Sequence, residues 1–263
     1  MINLWMDLLI FGLGACAGSF LNVCIYRMPL NKSVVFPGSH CAACGCPIPW
    51  YYNIPIISWF VLKGKATCCG SRIDARYALV EALTALGFFL LWMKYPPILV
   101  AVYAFFFCGL VIATFVDLDH FIIPDEISLG GCVFGIVLSA LVPELHHTAS
   151  IWTSVKASVI GFLVGGVGLF AIAIGGMLIL RKEAMGMGDV KLMAAMGAFL
   201  GWQAPLFILP VASCIGSVCG IAILLRKGKM LGVRIPFGPY LALAAMIWIF
   251  GGNVWMEHYL AAI

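Results

Sequence analysis

Two short segments of this chain carry carboxylates where an apolar helix tolerates few: "FVDLDHFIIPDE" (115–126) and "EAMGMGDVKL" (183–192). Asp117, Asp119, Asp125, Glu126 and Asp189 flank otherwise apolar helices. An ionisable group at a membrane boundary is costly unless it is solvated, paired or used. A hydrated helix end accounts for Glu126 and Glu183. It accounts less well for Asp189, because a helix end needs no Gly-x-Gly before it. Glycine lets backbone approach closely, so an extended peptide laid along Gly186-Met187-Gly188 would reach the acid behind it. A second carboxylate from another helix would complete an aspartyl dyad. Like charges in near contact cannot both ionise, so one carboxyl activates water while the other protonates the leaving group. The other use of paired membrane carboxylates is an ion-coupled pathway in a transporter or channel.

The elements that must position these acids are helices in a bilayer. Of 263 residues, 63% are hydrophobic and only 10% charged, with a mean hydropathy of +1.09. Uncharged windows run over 8–26, 97–116, 127–142, 157–180, 192–225 and 235–256, and 77–93 carries only Glu81. Apolar runs of about 18 residues or more read as spanning helices. The window 192–225 holds two, broken at Gly201–Pro205 (GWQAP). The expectation is an all-α polytopic membrane protein with about eight transmembrane helices. The first helix has no basic start and Asp7 precedes its apolar run, so it reads as retained and not as a cleaved signal.

Lysine and arginine orient the chain. With the N-terminus outside, the segments 27–76, 117–126, 181–191 and 226–234 face the cytoplasm and hold 13 of the 15 basic residues. The net charge of +4 is then that of positive-inside loops, and no nucleic-acid surface is expected. The partner is membrane lipid. The outer loop 143–156, with the adjacent His146 and His147, reads as solvated. No internal repeat is visible.

One insertion, 27–76, stands out by its prolines, its glycines and five clustered cysteines: Cys41, Cys44, Cys46, Cys68 and Cys69. A unit this small needs a staple. The "CAACGC" run supplies Cys-x-x-Cys at zinc spacing, and a cytoplasmic location disfavours stable disulfides. Reduced free thiols are the competing reading. The other six cysteines lie in the apolar windows, as small apolar residues. The expected organisation is a first helix (1–26), a cytoplasmic cysteine-rich domain (27–76) and a transmembrane region (77–263).

The chain resembles the prepilin peptidases, polytopic inner-membrane aspartic proteases that are also called type 4 prepilin leader peptidases/N-methyltransferases. The resemblance rests on "GSFLNVCIYRMP" (18–29), "WYYNIPIISWFVLKGK" (50–65), "RYALVE" (76–81), "VDLDHFIIPDEIS" (116–128), "GMGDVKL" (186–192) and "IPFGPYLA" (235–242). It implies that Asp117 and Asp189 are the catalytic pair, with Asp125 the next candidate partner for Asp189. It implies cleavage of the short basic leader of type 4 prepilins or pseudopilins at the cytoplasmic face. It also implies methylation of the new N-terminus with S-adenosylmethionine, in the 18–81 region. The family shows two Cys-x-x-Cys pairs in its insertion. Here Ala66 takes the third cysteine position and Cys68 stands beside Cys69. The implied zinc tetrad is therefore Cys41, Cys44 and Cys69, with Cys68 or Cys46 as the fourth ligand. Helix ends alone would make Asp117 the proton donor, at a helix C-terminus, and Asp189 the base, at an N-terminus.

Overall fold

The structure is a computed structural model, and it describes residues 4–181, 185–227 and 235–261. The described residues form helices and connecting turns. These are α1 (Leu4–Arg27), a short α2 (Ile57–Val61), α3 (Ala75–Lys94), α4 (Pro97–His120), α5 (Asp125–Leu141), α6 (Ile151–Leu180), α7 (Met187–Leu200), α8 (Gln203–Lys227), α9 (Gly238–Ile247) and α10 (Asn253–Ala261). A π-turn, Trp248–Gly252, joins the last two.

Eight helical stretches fall in the expected windows. Six are long and apolar enough to cross a membrane: those at Leu4–Leu30, Ala75–Lys94, Pro97–His120, Ile151–Ile179, Gln203–Leu225 and Gly238–Met256. The chain is thus an all-α, multi-pass membrane protein. The other two, α5 and α7, have 17 and 14 residues. At about 1.5 Å per residue, α7 covers roughly 21 Å of a hydrocarbon layer of about 30 Å. Its setting explains why: every residue from Val190 to Phe199 except Lys191 is buried, under α5 and α6. By contrast the spanning window of α6 is only 11% buried, so most of its apolar surface is left for lipid.

The chain forms two compact units, Met1–Ile112 and Ala113–Ile263. In the first, α1 packs along α3. Side chains at Gly14 and Gly18 would strike the backbone of Ala85 and Glu81, so small residues allow the close approach. Asp7 is not stranded in the apolar layer, because Trp92 Nε1 donates to its Oδ1 at 3.1 Å. Both helices and the insertion between them lie within this first unit. In the second unit α6 and α7 meet at Gly161 and Gly197, where a Cβ on either would collide with the other's carbonyl. Gly201, whose positive φ of +82° favours glycine, ends α7. The break expected at 201–205 falls there.

Candidate active site

The segment 115–126 folds as a helix end, a turn and a helix start. Asp117 lies in the last turn of α4. Phe121 takes a left-handed φ of +56°, and its N–H closes the helix on the Asp117 carbonyl at 3.0 Å. Pro124 then precedes α5 as its N-cap, since proline opens a helix well but cannot continue one. The burial pattern separates the acids. Asp117 is 6% exposed, whereas Asp119, Asp125 and Glu126 face outward. Asp125 pairs with Lys191 at 2.7 Å, and so is engaged two residues away from Asp189.

Gly186 is the N-cap of α7, and Asp189 sits in its first turn. Each glycine of the motif has a distinct neighbour. A Cβ on Gly186 would stand 3.4 Å from Asp189 Oδ2, and one on Gly188 would stand 3.2 Å from Ile123 Cβ. Gly188 therefore lets α7 close on the turn that follows Asp117. Gly186 leaves the space beside the Asp189 carboxylate open. The charge of Asp117 acts on Asp189, so the two acids belong to one electrostatic site. Glu183 lies outside the described residues, as do Lys182, Lys229 and Arg234.

One contributor was invisible in the linear reading. Gly238, the first residue of α9, donates its N–H to Asp117 Oδ2 at 2.8 Å. The motif "IPFGPYLA" contained this residue, but its spacing gave no sign of the contact. Asp117 therefore faces a helix N-terminus, as Asp189 does. The helix-end argument for unequal acid and base roles no longer separates the two.

The 143–156 loop corrects a second expectation. His147 is exposed, but His146 is turned inward. Its ring hydrogen-bonds the Ala198 backbone and leaves Nε2 buried without a partner among the described residues. Burial, with a smaller contribution from His147, lowers the His146 pKa to about 4.

The cysteines form a separate cluster in the first unit. The sulfurs of Cys41, Cys44, Cys68 and Cys69 all lie within 4.8 Å of one another. Their Sγ atoms are separated by 3.7 Å for Cys41–Cys69, 3.3 Å for Cys44–Cys68 and 3.8 Å for Cys68–Cys69. Four thiolates at the usual Zn–S distance of about 2.3 Å stand about 3.8 Å apart, so the donor set fits zinc. The cluster comes from a short structural repeat that the linear reading missed. In the first turn Cys41 N–H donates to the Cys46 carbonyl and Gly45 N–H to the Cys41 carbonyl. In the second Ala66 N–H donates to the Ser71 carbonyl and Gly70 N–H to the Ala66 carbonyl. Both glycines have positive φ, and each turn is closed by a bridge, His40–Pro47 or Lys65–Arg72. Position for position, Ala66 matches Cys41, Cys69 matches Cys44 and Ser71 matches Cys46. Cys68 thus supplies from inside the second turn the thiol that Ala66 lacks. Backbone N–H groups of Cys44 and Ala43 lower the Cys41 pKa to about 6, and the bond to Cys44 pushes Cys68 up to about 12.

Two family descriptions match the chain: "Bacterial Peptidase A24 N-terminal domain" over residues 12–95 and "Type IV leader peptidase family" over 104–221. The chain is 34% identical over 285 residues to a prepilin leader peptidase/N-methyltransferase of Aeromonas salmonicida (strain A449), covering 97% of this chain and 94% of that one. It is 39% identical over 221 residues to the protein of the same name from Myxococcus xanthus (strain DK1622), covering 84% and 64%. It is 34% identical over 258 residues to the type 4 prepilin-like proteins leader peptide-processing enzyme of Escherichia coli O78:H11, covering 90% and 91%. No solved structure matches it.

Proposed function

The chain belongs to the type IV leader peptidase, or prepilin peptidase, family, and from that premise we propose that it removes the basic leader of a type 4 prepilin or pseudopilin using Asp117 and Asp189. The observation that supports the reading is that Gly188, beside Asp189, packs against Ile123 in the turn that follows Asp117, so that acids from two separate helices are placed at the same end of the bundle. Family membership sets aside the transporter or channel reading of the same pair.

The proposed step needs one ionised and one protonated carboxyl. The ionised carboxylate takes a proton from water, whose oxygen attacks the scissile carbonyl carbon. The protonated carboxyl hydrogen-bonds the carbonyl oxygen as charge develops there, and the leaving nitrogen receives a proton as the C–N bond breaks. Asp117 Oδ2 is held by Gly238 N–H, which leaves Oδ1 for water or substrate. The space beside Gly186 gives an extended peptide access to Asp189. A dyad of this kind titrates as a unit, so acid and base are assigned to the pair.

In this reading the enzyme is a multi-pass protein of the bacterial inner membrane, with its N-terminus outside and the dyad at the cytoplasmic face. Support comes from the lopsided share of lysine and arginine in the 27–76, 117–126, 181–191 and 226–234 segments. Such a site meets a leader that has not crossed the membrane. Cys41, Cys44, Cys68 and Cys69 hold a structural zinc ion, which ties the two turns of the small domain together. The chain also N-methylates the newly exposed amine, with S-adenosylmethionine as donor, as the names of its relatives indicate for those proteins.

The deciding experiment incubates detergent-purified protein with a prepilin and follows leader removal on a gel. Asp117→Ala and Asp189→Ala are each expected to lower processing by about 10²–10⁴-fold or more, the usual worth of a positioned acid or base. Full processing by either variant removes that residue from the mechanism.

A further inference from the structure

A cavity of about 450 Å³ lies in the first unit, between the paired turns, α2 and the facing ends of α1 and α3. Its size falls in the range of about 300–1,000 Å³ typical of small-molecule sites. None of its lining residues belongs to the proposed dyad.

Its charges are arranged in an unusual way. Glu81 on α3 and Arg27 on α1 both line it, and they are only 8% and 6% exposed. They do not pair with each other among the described ion pairs. Each is instead held by neutral groups. Glu81 Oε2 accepts the Ile56 N–H at 2.7 Å, and Ser19 hydrogen-bonds the same carboxyl group. A carboxylate has about four acceptor positions, so some remain for a ligand. Arg27 donates to the carbonyls of Ser33 at 3.0 Å and Gly38 at 3.4 Å. A guanidinium has five N–H donors, so donors remain there too.

The hold on Glu81 strains the backbone. Ile56 has φ +63° and ψ −56°, and the next N–H, of Ile57, reaches back to the Pro55 carbonyl at 2.6 Å. This is the rare γ-turn with positive φ, unfavourable for any side chain and most of all for a β-branched one. Such a conformation persists only where the surroundings enforce it, and it concentrates at ligand sites. Here it aims the Ile56 N–H at the carboxylate. Aromatic rings complete the wall: Trp59, fixed by its Nε1–H to the Ile73 carbonyl at 3.2 Å, and Tyr52.

We propose that this cavity is the methyl-donor site, in which Glu81 and the faces of Trp59 and Tyr52 receive the sulfonium of S-adenosylmethionine and Arg27 receives its carboxylate. The proposal rests on the methyltransferase reading above. A carboxylate and aromatic faces suit an onium centre, and a guanidinium suits a carboxylate. One cavity carrying both, unpaired with each other, matches a ligand that has both charges. In the transfer, the neutral peptide amine forms a bond to the methyl carbon while the carbon–sulfur bond breaks; its electron pair stays on sulfur as a thioether, and the positive charge passes to nitrogen. Glu81 acts as a binding residue for the cationic centre.

The test uses the full-length protein in detergent, with radiolabelled S-adenosylmethionine as the probe, read by equilibrium binding and by ultraviolet photolabelling mapped to peptides. Wild type is expected to bind it and to carry the label within 19–81. Glu81→Gln should weaken binding at least tenfold. Val23→Trp, which fills the cavity from α1 without touching a charge, should weaken it comparably and carries the test should Glu81→Gln fail to fold. Absence of both binding and methylation in the wild type overturns the methyltransferase reading and the cavity with it. Normal methylation with the label confined to 113–263, or with wild-type binding by both variants, overturns the cavity alone.

Discussion

Gly238 donates its backbone N–H to Asp117 Oδ2 at 2.8 Å, across 121 residues of sequence. The contact leaves no room for a side chain: a Cβ at position 238 would stand 2.8 Å from that oxygen. Gly238→Ala is therefore expected to displace the Asp117 carboxyl without removing any charge. Because alanine is the better helix former, α9 itself should not suffer. Leader-cleavage kcat/KM should fall by about 100-fold, the scale of a catalytic group moved by about 1 Å, while thermal stability changes little. Unchanged kcat/KM would show that this contact does not orient the dyad.

Asp125 and Lys191 make a partly exposed ion pair, with side chains 60% and 33% exposed. Pairs of this kind contribute about 0.2–1 kcal/mol. A double-mutant cycle of Asp125→Asn and Lys191→Met, read by unfolding in detergent, should give a coupling in that range that shrinks in high salt. Leader cleavage at the level of Asp117→Ala in the Asp125→Asn variant would instead make Asp125 a member of the dyad.

The paired turns separate Cys68 from Cys46. Metal analysis of purified protein should find about one zinc per chain. Cys68→Ser should lose most of it, because Cys68 completes the cluster of four sulfurs, and Cys46→Ser should retain it. The reverse pattern would move the fourth ligand to Cys46, and no zinc in the wild type would end the metal assignment.

His146 makes stability depend on pH in one window. Burial first, and His147 second, lower its pKa from 6.5 to about 4. Between those values the unfolded chain takes up the proton and the folded chain does not, so stability falls as pH drops from about 6.5 to about 4 and is unaffected by this group above that. The loss is about 1–3 kcal/mol. Thermal unfolding from pH 7 to 4.5 should show a smaller drop for His146→Gln than for wild type. An equal drop in both would mean that His146 is free to protonate in the folded protein.

Much of the architecture could be read locally. Charge-free windows marked the helices, because a backbone in lipid must satisfy its own hydrogen bonds and its side chains must be apolar there. Gly201 marked the break before α8. Lipid also makes a carboxylate conspicuous, which is why Asp189 behind its two glycines stood out in the sequence, whereas Asp117 was told from Asp119 and Asp125 only by the family resemblance. What depends on packing could not be read this way. That Asp125 turns to Lys191, that Gly238 caps Asp117, that His146 points inward and that Cys68 replaces the thiol missing at Ala66 all follow from which backbones meet. Helix periodicity reports only which face of a segment is apolar. The neighbour of that face, chosen by shape and close approach at glycines such as Gly161, Gly188 and Gly197, was decided by the tertiary structure.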